Sequence, residues 1–249
     1  MIVASIQARL GSTRLPGKML KKIHGKTLLK HVYDRLSSCK EIDKIIIATT
    51  TNLKDNLLEE YCKKNNLLVY RGDEEDIAKR HLDAAKSINA TAIIRICGDC
   101  PLIDPKVIDQ GILLFKQNNA DFVSNRFPKT YPQGLNFEIY KISILQEIMD
   151  TQKGFNRRYP FEHIYSNQNK YKLFNLDQKE NLSHIHLTVD YQQDLELIGN
   201  IISKSDQNYD FSLMQTMKII NQNPSFLELT QKLTRSKEYK SAKESFNQK

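Results

Sequence analysis

Residues 2–18 read IVASIQARLGSTRLPGK. The run Ile2 to Ile6 is short, mostly apolar and partly β-branched, which predicts a buried strand. It breaks at once into a loop carrying three cations, Arg9, Arg14 and Lys18, with Gly11, Ser12, Thr13 and Gly17 among them. A buried strand that delivers a basic, glycine-containing loop at its carboxyl end suits an open parallel sheet, in which ligands bind beyond the strand ends.

Outward from this stretch, strand and helix alternate. Leu28, Leu29, Val32 and Leu36 recur at helical spacing, so Lys26 to Ser38 is predicted helical. Ile45 to Ile47 is a second strand, followed by a helix from Asp55 to Lys64, a strand at Leu67 to Tyr70 and a helix from Glu74 to Ser87. Thr91 to Cys97 is a fourth strand, Asp104-Pro105 opens another helix, and Asp121 to Ser124 is a fifth strand. Repeated βα units predict an α/β fold, a mainly parallel sheet with right-handed crossovers. After Asn125 the rhythm breaks. Pro128, Pro132 and Gly134 mark loops, Phe137 to Tyr140 reads as strand, and Asn156 to Ser166 as a helix with Pro160 near its start. Ile185 to Val189 reads as a strand, and Gln192 to Ser203 and Ser212 to Asn221 as helices.

Composition bounds the function. With 249 residues, 40% apolar and 27% charged, the chain has enough apolar material for a core, which excludes disorder throughout. No window of about eighteen apolar residues exists, so no membrane insertion is expected. The start lacks a basic signal-peptide opening, and four cysteines then fit a reducing cytoplasm rather than a disulfide framework. The net charge of +8 favours anionic partners. Part of it sits near the end, where Arg235, Lys237, Lys240, Lys243 and Lys249 face only Glu238 and Glu244. The expected organisation is one domain over 1–234, elaborated at 126–184, with a basic solvated tail at 235–249. A nucleic-acid binder would spread its cations over a broad face with aromatics for stacking, and no nucleic-acid partner is expected.

Three segments carry chemistry. In the 9–18 loop, glycines let backbone N–H groups approach a phosphate while Arg and Lys neutralise it. It is not the Gly-x4-Gly-Lys-Ser/Thr loop: counting back from Gly17 puts Ser12 at the first glycine, and Met19 follows Lys18. Gly11 and Gly17, six apart, do not make a dinucleotide fingerprint either. The second segment is Cys97-Gly98-Asp99-Cys100-Pro101-Leu102-Ile103-Asp104. Asp104 before Pro105 fits a helix cap, whereas Asp99 lies too early for that and is placed to hold a divalent metal against a phosphate. The Cys97–Cys100 pair lacks zinc partners, since Cys39 and Cys62 are isolated on predicted helices, and it does not open a helix as a redox pair does. His184 and His186 have no evident third ligand. No G-x-S-x-G elbow appears. The third segment ends in Asp190, which either starts a helix with Tyr191 or joins Asp99 at the sheet edge to share one Mg²⁺.

These residues carry a pattern. The chain resembles the cytidylyltransferases that make CMP-activated sugars, particularly the branch named after spore-coat polysaccharide biosynthesis protein F, over about residues 1–204. The anchors are Gln7-Ala8-Arg9 with Gly11 through Lys18, Arg71-Gly72 with Asp76 and Arg80, Arg95 through Asp104, and Thr188-Val189-Asp190. The resemblance implies a Rossmann-like nucleotidyltransferase sheet flanked by helices, with CTP, Mg²⁺ and a sugar or sugar-like acid whose hydroxyl displaces pyrophosphate. It implies nucleotide contacts from Ala8, Arg9, Gly11, Ser12, Arg14, Lys18, Arg71, Arg80 and Gly98. Arg14, Lys18 and Asp99 would be catalytic, and Asp99 and Asp190 would hold the metal. It also implies a homodimer joined through the elaboration. Gly134, Asn136 and Glu138 fall in the acceptor region, where relatives often show Asp-Gly-Leu-Asp-x-Glu and this chain reads Gln133-Gly134-Leu135-Asn136-Phe137-Glu138. Two carboxylates have become amides, which suits a more acidic acceptor. The rival enzyme, a nucleotide-sugar-dependent glycosyltransferase, often carries Asp-x-Asp, which Asp99-Cys100-Pro101 lacks.

Overall fold

The computed structural model describes residues 1–205, 212–231 and 233. From the N-terminus, β1 (Ile2–Gln7) leads through the basic loop to a small hairpin, β2 (Lys22–Ile23) and β3 (Lys26–Thr27). Then come α1 (Leu28–Leu36), β4 (Lys44–Thr50), α2 (Asn56–Lys64), β5 (Leu68–Gly72), α3 (Ile77–Lys86), β6 (Ala92–Cys97) and α4 (Pro105–Gln117). The second half holds β7 (Phe122–Ser124), β8 (Glu138–Lys141), α5 (Ile142–Thr151), α6 (Phe155–Arg158), α7 (Pro160–Ser166) and β9 (Leu173–Asn175). Helices α8 (Gln192–Ser203), α9 (Leu213–Gln222) and α10 (Ser225–Gln231) follow. No helix among the described residues is long and apolar enough to cross a membrane.

The seven-stranded sheet has the order β5-β4-β1-β6-β8-β7-β9. Strands β5, β4, β1 and β6 are parallel. Strand β8 alone is reversed: it pairs antiparallel with β6 and with β7, and β7 is parallel to β9. One edge therefore collects the carboxyl ends of β1, β4, β6 and β7 together with the start of β8.

Alternation builds the layers. Ile2, Ala4 and Ile6 join Ile47, Ile94 and Ile96 on one face, against Leu29 and Val32 of α1, Leu58 of α2 and Ile108 and Ile112 of α4. On the other face, Val3 and Ile46 pack with Ala84 of α3, and Ile93 with Leu82 of α3 and Leu145 and Ile148 of α5. Each such isoleucine or leucine contributes about 1.5–3 kcal/mol relative to exposure. Short polar caps start the helices: Thr27 Oγ1 accepts from Lys30 N at 3.2 Å, Asp76 from Lys79 N at 3.0 Å and Asp104 from Lys106 N at 2.8 Å.

Several expectations need correction. Lys26 and Thr27 are extended, so the first helix begins at Leu28. The helix expected over Asn156 to Ser166 is two, α6 and α7, because Pro160 keeps Tyr159 out of helical geometry (φ −128°, ψ 72°). Ile185 to Val189 is not a strand. Its apolar residues do alternate inward, but its backbone pairs with two loops: Gln133 N donates to Ile185 O (2.9 Å), Leu187 N to Gln133 O (2.7 Å) and Val189 N to Asp99 O (2.9 Å). Helix α5 escaped notice although Ile144, Leu145 and Ile148 are spaced for it. The basic tail at 235–249 lies outside the described residues.

Candidate active site

The basic loop folds back on itself at the end of β1. Gly17, with φ +68°, turns the chain so that its N–H donates to Leu10 O at 3.1 Å, and Asp55 Oδ1 accepts from Leu10 N at 2.7 Å. Gly98 N donates to Gln7 O at 2.9 Å, docking the loop after β6 onto the end of β1. A side chain at Gly98 would meet Gln7 O and Met19 Sδ at 3.0 Å, so this approach needs glycine. Between the two loops lies a cavity of about 200 Å³ whose walls include Arg9, Ser12, Arg14, Lys18, Asp99 and Asp190.

Asp99 and Asp190 do converge, on Lys18. Its ammonium lies 2.8 Å from Asp99 Oδ2, 3.0 Å from Asp190 Oδ1 and 2.8 Å from Val189 O. Lys18 is 6% exposed, and these three acceptors match its three N–H donors. Burial alone would lower its pKa, but the two carboxylates outweigh that and hold the charge well above the ordinary lysine range. Arg14 Nη2 also pairs with Asp190 Oδ1, at 2.8 Å, with its guanidinium 5.5 Å from the Tyr191 ring centroid. Burial pushes the Asp190 carboxyl up, yet Lys18 and Arg14 bring it below the usual range.

The remaining sequence-derived residues divide. Arg9 pairs with Glu74, whose other oxygen accepts from Asn52 Nδ2 at 3.2 Å. Ser12 Oγ accepts from Leu15 N, and Ala8 is buried with its N–H on Ala48 O. Gly11 lies beside Glu74. Arg71 is not brought to the cavity wall. It braces the β4–α2 corner, donating to Thr50 O, Asn52 O, Asn56 Oδ1 and Glu59 Oε2. Arg80 is buried beneath Gly72, with Nη1 on Asp73 O (2.5 Å) and Glu74 O (3.1 Å) and Nε without a partner among the described residues. Burial, with Arg95 and Arg9 nearby, lowers its pKa to about 10.

In the segment 133–138, Gly134 takes φ +108° against the Leu187 backbone. Asn136 Nδ2 donates to Gln133 Oε1 at 3.1 Å. Glu138 is 2% exposed and saturated: Oε1 accepts from Arg126 Nη1 (2.6 Å), and Oε2 from Arg95 Nη1 (2.9 Å) and Tyr140 Oη (2.6 Å). Arg95 in turn donates from Nε and Nη2 to Gln7 Oε1 on the cavity wall. Sequence reasoning gave Gln7, Arg95 and Arg126 no role. The available signal was a charge, Arg95, inside the apolar run Ile93 to Ile96.

The thiols are protonated rather than poised. Burial pushes Cys97 up and Cys100 well above its ordinary value, and all four cysteines are free. Among the described residues no cluster of three or more His, Cys, Asp or Glu could hold a metal within protein ligands alone. Two carboxylates converging on one open cavity fit Mg²⁺, which takes one or two carboxylates and completes its shell with phosphates and water.

The fold and this edge define an α/β nucleotidyltransferase. The cytidylyltransferase family profile matches residues 3–243, and the chain belongs to that family. A solved cytidylyltransferase from Leptospira borgpetersenii superposes with a TM-score of 0.86 at 34% identity, covering 94% of this chain and 98% of that one. The Bacillus subtilis spore coat polysaccharide biosynthesis protein SpsF is 29% identical over 231 residues, 90% of this chain and 95% of that protein. The 3-deoxy-manno-octulosonate cytidylyltransferase of Trichlorobacter lovleyi is 34% identical over 117 residues, 47% of this chain and 46% of that enzyme.

Proposed function

We propose that this cytidylyltransferase joins CTP to the hydroxyl of a sugar or sugar-like acid, forming its CMP derivative and releasing pyrophosphate, for surface polysaccharide synthesis. The observation that carries the reading is the convergence of Arg9, Arg14, Lys18, Asp99 and Asp190 on one cavity at the ends of β1 and β6. A triphosphate brings about four negative charges, and clustered cations stabilise the charge that gathers on the departing pyrophosphate. Asp99 and Asp190 would hold Mg²⁺, which supplies further charge neutralisation at the phosphates when bound. Arg9 and Arg14 flank the cavity and neutralise the incoming phosphates. Lys18 has every donor engaged, so to touch a phosphate it exchanges at least one present acceptor. In the nucleotide-free protein it keeps two partly buried carboxylates from facing each other uncompensated. Gln7, its amide oxygen fixed by Arg95, is left with its NH₂ group to orient a substrate.

The test is a pyrophosphate-release screen of the four nucleoside triphosphates with Mg²⁺ against a panel of sugar acids and sugar phosphates. Release that needs both CTP and one panel member is expected. Turnover with another nucleotide and none with CTP would overturn the base assignment.

A further inference from the structure

Behind the cavity wall a series of charged side chains ends on an uncharged one. Strand alternation puts Gln7 of β1, Arg95 of β6 and Glu138 of β8 on one face of the sheet, with Glu138 in register with Arg95. Of these, Gln7 alone lines the cavity. Glu138 is fixed: Oε1 accepts from Arg126 Nη1, and Oε2 from Arg95 Nη1 and Tyr140 Oη. With Nη1 engaged there, Arg95 turns Nε and Nη2 onto a single atom, Gln7 Oε1, at 3.0 and 2.8 Å. The Arg95 side chain is 11% exposed, and although burial would lower its pKa, Glu138 holds the guanidinium charged.

This decides which way the Gln7 amide faces. A guanidinium has donors and no acceptor, so it takes the carbonyl oxygen, and its two N–H groups fill both lone pairs. A flipped amide would set N–H against N–H. The Gln7 NH₂ group has no partner among the described residues. Gln7 therefore offers the cavity hydrogens and no free acceptor. That selects what it can hold. A sugar hydroxyl donates as well as accepts, and its hydrogen needs an acceptor that Gln7 lacks, whereas an ionised phosphate oxygen only accepts. The backbone agrees, since Gly98 N donates to Gln7 O at 2.9 Å and so ties this residue to the loop that carries Asp99. The same wall holds Arg9, Arg14 and Lys18. The paired bonds from Arg95 also polarise the amide and strengthen its N–H groups as donors.

We propose that the Gln7 NH₂ group binds a phosphate oxygen of the nucleotide, and that Arg95, braced by Glu138, is the positioning residue that keeps the amide turned that way. The inference deepens the CTP-dependent reading and rests on it.

The test is isothermal titration of the full chain with cytidine, CMP, CDP and CTP in the presence of Mg²⁺. Gln7→Met removes the donors without adding charge and should weaken CTP binding about tenfold. Gln7→Glu should weaken it further while melting no lower than the parent, because a carboxylate still receives the Arg95 fork but turns lone pairs toward the phosphate. Both losses should be absent with cytidine, and the shortest nucleotide that shows them identifies the phosphate contacted. Arg95→Met should lower CTP affinity from off the cavity wall, and Arg95→Lys should keep part of it. On the Arg95→Met background, Gln7→Met should cost less than about threefold more, because the amide is already free to turn. Arg95→Lys serves for that cycle where Arg95→Met does not fold. CTP affinity within about twofold of the parent in Gln7→Met or Gln7→Glu, or an equal loss with cytidine, overturns the phosphate contact. The full cost of Gln7→Met on the altered Arg95 background overturns the positioning role. A parent chain that binds none of the three nucleotides would instead remove the CTP-dependent reading, and this inference with it.

Discussion

At the scale of a single residue, the proposed chemistry turns on Lys18. Its ammonium bridges the two carboxylates proposed to hold the metal. Metal and lysine would therefore compete for the same oxygens, and a phosphate that drew Lys18 away would free them. Lys18→Met should bind Mn²⁺ at least tenfold tighter than the parent chain without nucleotide, by electron paramagnetic resonance. The same variant should melt lower in metal-free buffer and recover when Mn²⁺ is added, because like charges are otherwise left facing each other. Equal Mn²⁺ affinity in the two proteins would show that the carboxylates do not answer to Lys18. For turnover, Lys18→Met and Arg14→Ala should each lose a charge-assisted contact, roughly 1.5–3 kcal/mol.

At the scale of elements, the segment 185–190 matters most, since it carries Asp190 to the cavity without being a strand. Gly134 makes that passage possible. A Cβ there would lie 2.8 Å from the Leu187 carbonyl carbon and oxygen, at a φ of +108° that side chains rarely adopt. Gly134→Ala should therefore destabilise the fold by about 2 kcal/mol or more and weaken CTP binding, although Gly134 is not on the cavity wall. An unchanged melting temperature would put the strain elsewhere. Helix α3 makes a pH prediction. His81 is 1% exposed, with Nδ1 2.7 Å from Ser5 Oγ, and burial together with Arg95 and Arg80 holds its pKa well below the ordinary value. As pH falls below about 6.5 the unfolded chain takes up this proton first, so stability declines from there downward. The slope approaches about 1.4 kcal/mol per pH unit for one such histidine, and His31, lowered mainly by burial, adds in the same direction. Urea unfolding between pH 7.5 and 5.5 should show the decline, and His81→Gln should flatten it. A slope unaltered by His81→Gln would contradict the assignment.

At the scale of the whole molecule, the parallel half was legible because its strands carry continuous apolar runs, as at Ile45 to Ile47 and Ala92 to Ile94, buried on both faces. The other half was less so. Strands β7 and β9 are three residues each, and β8 is reversed, so none carries enough pattern to fix its neighbour. The 185–189 stretch alternates like a strand but spends its hydrogen bonds on loops. The basic loop, Asp99 and Asp190 stood out because charge at the end of an apolar run has few structural uses. The links from Gln7 to Arg95 to Glu138 to Arg126 did not, since they join residues from three strands and a loop with no common spacing. Asp99 and Asp190, far apart in sequence, are proposed to serve one ion in one reaction. A double-mutant cycle on CTP-dependent pyrophosphate release tests it most directly. Asp99→Asn and Asp190→Asn should each cost about 3 kcal/mol, roughly two orders of magnitude in turnover, partly recovered by excess Mg²⁺. The double variant should cost clearly less than the sum. Strictly additive losses, or an Asp190→Asn enzyme with the parent's Mg²⁺ dependence, would contradict the shared site.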